Sequence, residues 1–153
     1  MKNYDQLPQL YLRIAAGIGF IIPVLDRIGW LGPAGSKNIG WGNWDNFVAY
    51  TNILLPFLGR PAANVMGGVA TLAEILFGIM LIIGLKTRVV AFGSFLLTLS
   101  FALCMAVFLG FKAPLNYSVF VVSAACLLLS TIPGYKWSLD EYFSKRGTTE
   151  NLL

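Results

Sequence analysis

The chain contains no histidine, and charged residues make up only 12% of it. Without imidazole, histidine-ligated haem, most zinc sites and a histidine general base are excluded within this chain. Cysteine is nearly absent as well. Cys104 and Cys126 stand alone, in neither CxxC nor metal-ligand spacing, and read as small apolar packing residues. On antiparallel helices their depths would differ by roughly 7 Å, too far for an ordinary disulfide. No metal site and no intrinsic cofactor are therefore expected, and a redox centre would have to come from a partner. The net charge of +4 is small and dispersed, which excludes a nucleic-acid footprint.

What the chain has instead is apolar mass, at 57% of 153 residues, where soluble proteins carry roughly a quarter charged residues. A hydrocarbon core about 30 Å thick needs about 20 mostly apolar residues per helix, so this length accommodates four spans in one membrane domain over 1–153. The segments run from Leu10 to Ile28, Val65 to Leu85, Val89 to Phe111 and Leu115 to Ile132, with Pro114 opening the last. The expected fold is all-α, an integral membrane four-helix antiparallel bundle. Lys2 before the first segment suggests a signal peptide, but Asp5, Arg13 and the lack of a small-x-small cleavage site favour a retained helix. Lys2, Arg13, Lys86, Arg88, Lys136, Lys145 and Arg146 fall on one side, against Arg27, Lys37, Arg60 and Lys112 on the other. The positive-inside bias places both termini in the cytoplasm.

The loop from Gly29 to Asn64 carries Trp30, Trp41 and Trp44, and tryptophan favours the headgroup level. Within it, Phe47, Tyr50, Leu54 and Phe57 recur at helical spacing, predicting an interfacial or partly re-entrant helix over Asn46 to Leu58, ended by Pro56 and Gly59. Beyond Pro133 and Gly134, Ser138-Leu-Asp-Glu reads as a helix start, followed by a short amphipathic helix and a loose tail from Gly147.

Glu74 is the informative residue. It stands near the middle of the second span, where a central charge costs about 2.5–3.5 kcal/mol on insertion scales, so it must be neutral, paired or facing a polar cavity. Gly67, Thr71, Glu74 and Gly78 share one small, polar helix face that should look into the bundle. Arg13 is the expected partner, about 10 Å lower by helix rise, across a gap that tilt, water or a long side chain closes. The bland reading makes Arg13 a lipid-phosphate anchor and Glu74 a protonated packing residue. Thr71 joins the polar site. Asp26, Arg27, Lys112, Asn116 and Tyr117 are candidates for an outer mouth or, singly, interfacial anchors. Ser94, Thr98 and Ala102 form a close-packing stripe. No catalytic residue is assigned.

The first segment, Leu12–Phe20 (LRIAAGIGF), and above all Ala73–Arg88, with Glu74, Gly78 and the run Gly-Leu-Lys-Thr-Arg, resemble the DoxX family of small bacterial membrane proteins. Asn46–Tyr50 and Lys112–Ser118 resemble a subgroup of it. The resemblance implies a four-helix bundle in the bacterial cytoplasmic (inner) membrane, with Arg13 and Glu74 at motif positions. Related proteins are associated with thiosulfate:quinone oxidoreduction, with oxidative-stress complexes and with chaperoning. The histidine that many members carry near the outer end of the first span is missing, and Asp26 and Arg27 stand close by. The leading expectation is an accessory subunit, not catalytic alone, that binds a quinone or lipid beside a membrane or redox protein. The alternative is an assembly or chaperone module acting through the tryptophan-rich loop. A transporter is disfavoured by the single buried carboxylate and the lack of a relay or inverted repeat.

Overall fold

The computed structural model describes residues 6–150, and all regular structure among them is helical. Lys2, Asp5 and the last three residues of the tail lie outside the described residues. Three helices are long and apolar enough to cross a membrane: α1 (Leu7–Arg27), α3 (Arg60–Ile83) and α4 (Thr87–Phe108). Between α1 and α3 lies α2 (Trp44–Leu54). The fourth apolar segment is divided. Pro114 sits inside the short α5 (Lys112–Asn116), Ser118 turns the chain through a left-handed backbone at φ 54°, and α6 (Val119–Thr131) follows. At 13 residues α6 rises only about 20 Å, less than the hydrocarbon thickness. α7 (Leu139–Glu150) ends the described chain.

Helix boundaries follow local chemistry. α1 and α3 each carry proline in the first turn, where the missing N–H costs nothing. Asn43 caps α2 by accepting from the Asn46 N–H, and Gly84 ends α3 in the left-handed conformation. α2 stops at Leu54, before Pro56, so Phe57, which the sequence pattern placed within this helix, falls outside it and is exposed. The expected loose tail is shortened too, because α7 runs through Gly147 to Glu150.

Helix α1 lies against α3, and α4 against α6. The first pair meets where Gly17 and Gly78 face each other. A Cβ on Gly17 would stand 2.8 Å from the Gly78 carbonyl oxygen, and one on Gly78 would stand 3.0 Å from that of Gly17. Such small-residue crossings let backbones touch where hydrocarbon offers no hydrophobic drive for association. The second pair uses the Ser94, Thr98 and Ala102 stripe, all buried, opposite Ser123 and Cys126. Phe20, Leu81, Val90, Ala91, Cys126, Leu129 and Tyr135 join the pairs in one apolar core. Both cysteines are free. The outward faces carry Ile18, Ile22, Leu72, Leu76, Phe92, Leu96 and Leu103, exposed in a way that a water-facing bundle would not tolerate.

At one end of the bundle, polar groups clasp α7. Gln9 and Arg13 donate to the Lys136 carbonyl, and Arg13 also donates to that of Trp137 at 2.6 Å. The Asp140 carboxylate accepts the Lys86 and Thr87 N–H groups that α4 leaves open at its start. Ser138 caps α7 by accepting from the Glu141 N–H, while Glu141 accepts from Lys136, Lys145 and the Trp137 N–H. Those donors hold the Glu141 carboxyl down at about 2, with the Lys145 bond the largest cause.

Two outcomes follow from this packing. Gly17→Ala must separate α1 from α3, and overpacking of this kind costs about 1–3 kcal/mol; the detergent-unfolding midpoint of the purified chain should fall, whereas Gly19→Ala, with open space at its Cβ, should fall less. For Glu141 the depressed folded value makes its contribution to the clasp complete above the ordinary carboxylate range near 4.5 and lost as pH drops through it toward about 2. Amide protection factors in the first turn of α7 should therefore fall over that interval, and Glu141→Gln should lower them at neutral pH and lessen the further fall.

Candidate functional site

Glu74 is 5% exposed and faces the bundle on the stripe Ala63, Gly67, Thr71, Glu74, Gly78, Leu81. Its partner is Arg27, not Arg13. Arg27 Nη1 lies 2.6 Å from Glu74 Oε2 and donates to Thr71 Oγ1 at 2.8 Å. The Arg27 side chain doubles back along its own helix, with Nε donating to the Pro23 carbonyl at 3.1 Å. It is 3% exposed, a deeply buried guanidinium rather than an interfacial one.

Depth alone does not select this partner. From the Gly17–Gly78 contact, Arg27 is about 15 Å and Glu74 about 6 Å toward the loop end, while Arg13 is about 6 Å the other way, so the backbone gaps are similar. Side-chain direction decides. In a helix the Cα–Cβ bond leans toward the N-terminus, so on α1 both arginines lean toward the clasp end. Arg27 thereby points down at Glu74, which leans up from the antiparallel α3, and Arg13 points away from it. Arg13 is spent on the clasp.

Two aromatic rings cover the pair. Phe47 presents its face 4.0 Å and Trp41 5.2 Å from the Arg27 guanidinium carbon, an arrangement that favours the cation in a dry site. The two rings also meet edge to face, with centroids 5.4 Å apart. Phe47 fits because Gly67 stands beneath it, where a Cβ would lie 2.9 Å from Cε1. Trp41 is held by a different device. Asp26 accepts the N–H groups of Gly40, Trp41 and Gly42, and Gly42 adopts φ 66° with its Cα against the Ala34 backbone, so a side chain there would clash. Asp26 thus folds the loop from Gly29 to Asn43 back onto the site that Arg27 fills.

The remaining mouth candidates do not join them. Lys112, Asn116 and Tyr117 are exposed on and after α5, with Tyr117 near Tyr50, and Asp26 and Arg27 are turned inward. The expected outer mouth is replaced by a closed polar site plus a separate exposed turn. Two open clefts of about 610 and 590 Å³ flank Arg60 at the loop end, but neither is lined by Arg27, Thr71 or Glu74. Trp41 and Phe47 are the functional-site residues that sequence reasoning missed; the Asn46–Tyr50 motif marked the second without assigning it a role.

The family model described as the TQO small subunit DoxD matches residues 9–152. The chain belongs to the DoxD family. No curated protein and no solved structure matches it. With three helices of membrane-crossing length and composition, this DoxD chain is a membrane protein.

Removing one member of a buried ion pair strands the other, at about 3–5 kcal/mol, whereas replacing both by apolar groups is often near neutral. In this DoxD chain Glu74→Ala should therefore lower unfolding stability more than the double change Arg27→Met with Glu74→Leu, as read by denaturation in mild detergent.

Proposed function

We propose that this chain is an accessory membrane subunit of a TQO-type redox complex in the bacterial cytoplasmic membrane, and that it holds a quinone at the Arg27–Thr71–Glu74 site. In this reading α5 and α6 together complete a fourth crossing, α2 lies at the outer interface, and both termini are cytoplasmic. The observation that carries the proposal is the donor set. A guanidinium and a hydroxyl stand beside a carboxylate in a dry interior, under two aromatic rings.

That chemistry fits a quinone. Its carbonyl oxygens accept hydrogen bonds, its ring stacks on aromatic faces, and its tail belongs in lipid. When bound, a quinone would supply a two-electron acceptor, with the electrons drawn from a redox partner. Arg27 and Thr71 donate toward an oxygen acceptor, Glu74 holds or releases a proton at Oε2, and the rings of Trp41 and Phe47 exclude water. Trp41 is the half-buried side of that cover, and its loop is tied down through Asp26. The assembly-module reading has less to rest on, since Trp41 covers Arg27 and Trp44 donates to Asn64 within the same chain.

The test is retention. Chain purified in mild detergent should carry quinone detectable by mass spectrometry, with retention falling several-fold in Glu74→Gln and Thr71→Val while Lys112→Gln, on the exposed turn, matches the native chain. Absence of quinone from the native preparation, or equal retention in all variants, would reject the reading.

A further inference from the structure

Helix α7 carries an exposed aromatic face. Leu139, Tyr142, Phe143 and Arg146 follow one another at helical spacing and share one face, while Asp140, Glu141, Ser144 and Lys145 occupy the other. Trp137, Tyr142 and Phe143 are each more than half exposed. Beyond its clasped first turn, α7 packs extensively against no other helix among the described residues. An aromatic face so exposed needs a cover.

Its surroundings say what that cover is. Asp140 ties the first turn to the Lys86 and Thr87 amides at the start of α4, and Arg13 on α1 holds the Trp137 carbonyl. The helix therefore starts at the very end of two membrane-crossing helices, within a helix diameter of the bilayer surface. Lys86, Arg88, Lys136, Lys145 and Arg146 surround it, and the Arg146 guanidinium lies over the Tyr142 ring at 5.9 Å, a basic group carried on the aromatic face. Apolar and aromatic side chains flanked by cations suit the headgroup layer of an anionic bilayer, where each Lys or Arg near the surface is attracted to the lipid charge.

We propose that α7 lies in the headgroup layer with Tyr142 and Phe143 inserted, docked on anionic phospholipid. The inference rests on the chain being a membrane protein and not on the quinone site. It predicts that two neighbouring positions have opposite environments. Spin labels at Phe143→Cys and Ser144→Cys, placed in a Cys104→Ala, Cys126→Ala background, would be compared by oxygen and aqueous nickel accessibility. The full chain would be held in nanodiscs of phosphatidylcholine with or without phosphatidylglycerol.

The label at 143 should show a several-fold higher oxygen-to-nickel ratio than that at 144, and the difference should grow with phosphatidylglycerol and shrink on Arg146→Glu or in high salt. Circular dichroism of each variant confirms that the helix is retained, and labels on the native α3 face at Leu72→Cys report insertion of the bundle independently. Equal nickel accessibility at 143 and 144 in both lipids, with the label at 72 still buried in lipid, would overturn the proposal. Shielding of 143 that appears only when a soluble protein is added would likewise overturn it, in favour of a protein-docking face.

Discussion

A guanidinium and a carboxylate that meet in hydrocarbon can be tolerated only while they remain together, and in this chain Arg27 and Glu74 bind three segments into one unit. The pair fixes the loop end of α1 against the middle of α3. It requires a dry cover, which brings in Phe47 from α2 and Trp41 from the preceding loop. Asp26, the residue next to Arg27, then uses its carboxylate to shape that loop. Two adjacent buried charges at one helix end therefore act on different partners, one on the core carboxylate and one on the loop backbone.

The opposite end is organised by the same economy of polar groups. Arg13 and Gln9 satisfy carbonyls that lead into α7, and Asp140 satisfies the amides that open α4. Between the two ends the contact is apolar and close, set by Gly17 against Gly78 and by the serine, threonine and alanine stripe of α4. The bundle is thus close-packed in its middle and tied by polar groups at both ends.

The chain belongs to the DoxD family, whose model is described as the TQO small subunit. At the end of α1, Asp26 and Arg27 stand side by side, and Arg27 folds back along its own helix to become the polar occupant of the interior.

Much of this was legible in the residues. Hydropathy located four apolar segments, three of which are helices of membrane-crossing length, periodicity placed Thr71, Glu74 and Gly78 on the buried face, and the Ser138 start signal found α7, because each depends on spacing along one helix. The position of Glu74 in its span also required that it be neutral, paired or facing a polar cavity, since hydrocarbon does not accept a lone charge. Which arginine it takes was decided only by tertiary structure. The reach of a long side chain covers both Arg13 and Arg27, and the choice falls to the direction in which antiparallel helices tilt their side chains and to the competing carbonyls that engage Arg13. The break at Tyr117 and Ser118 and the folding back of Trp41 were hidden for the same reason. A left-handed residue and a nest of amides around Asp26 are set by contacts far apart in the chain, and no pattern within a single segment records them.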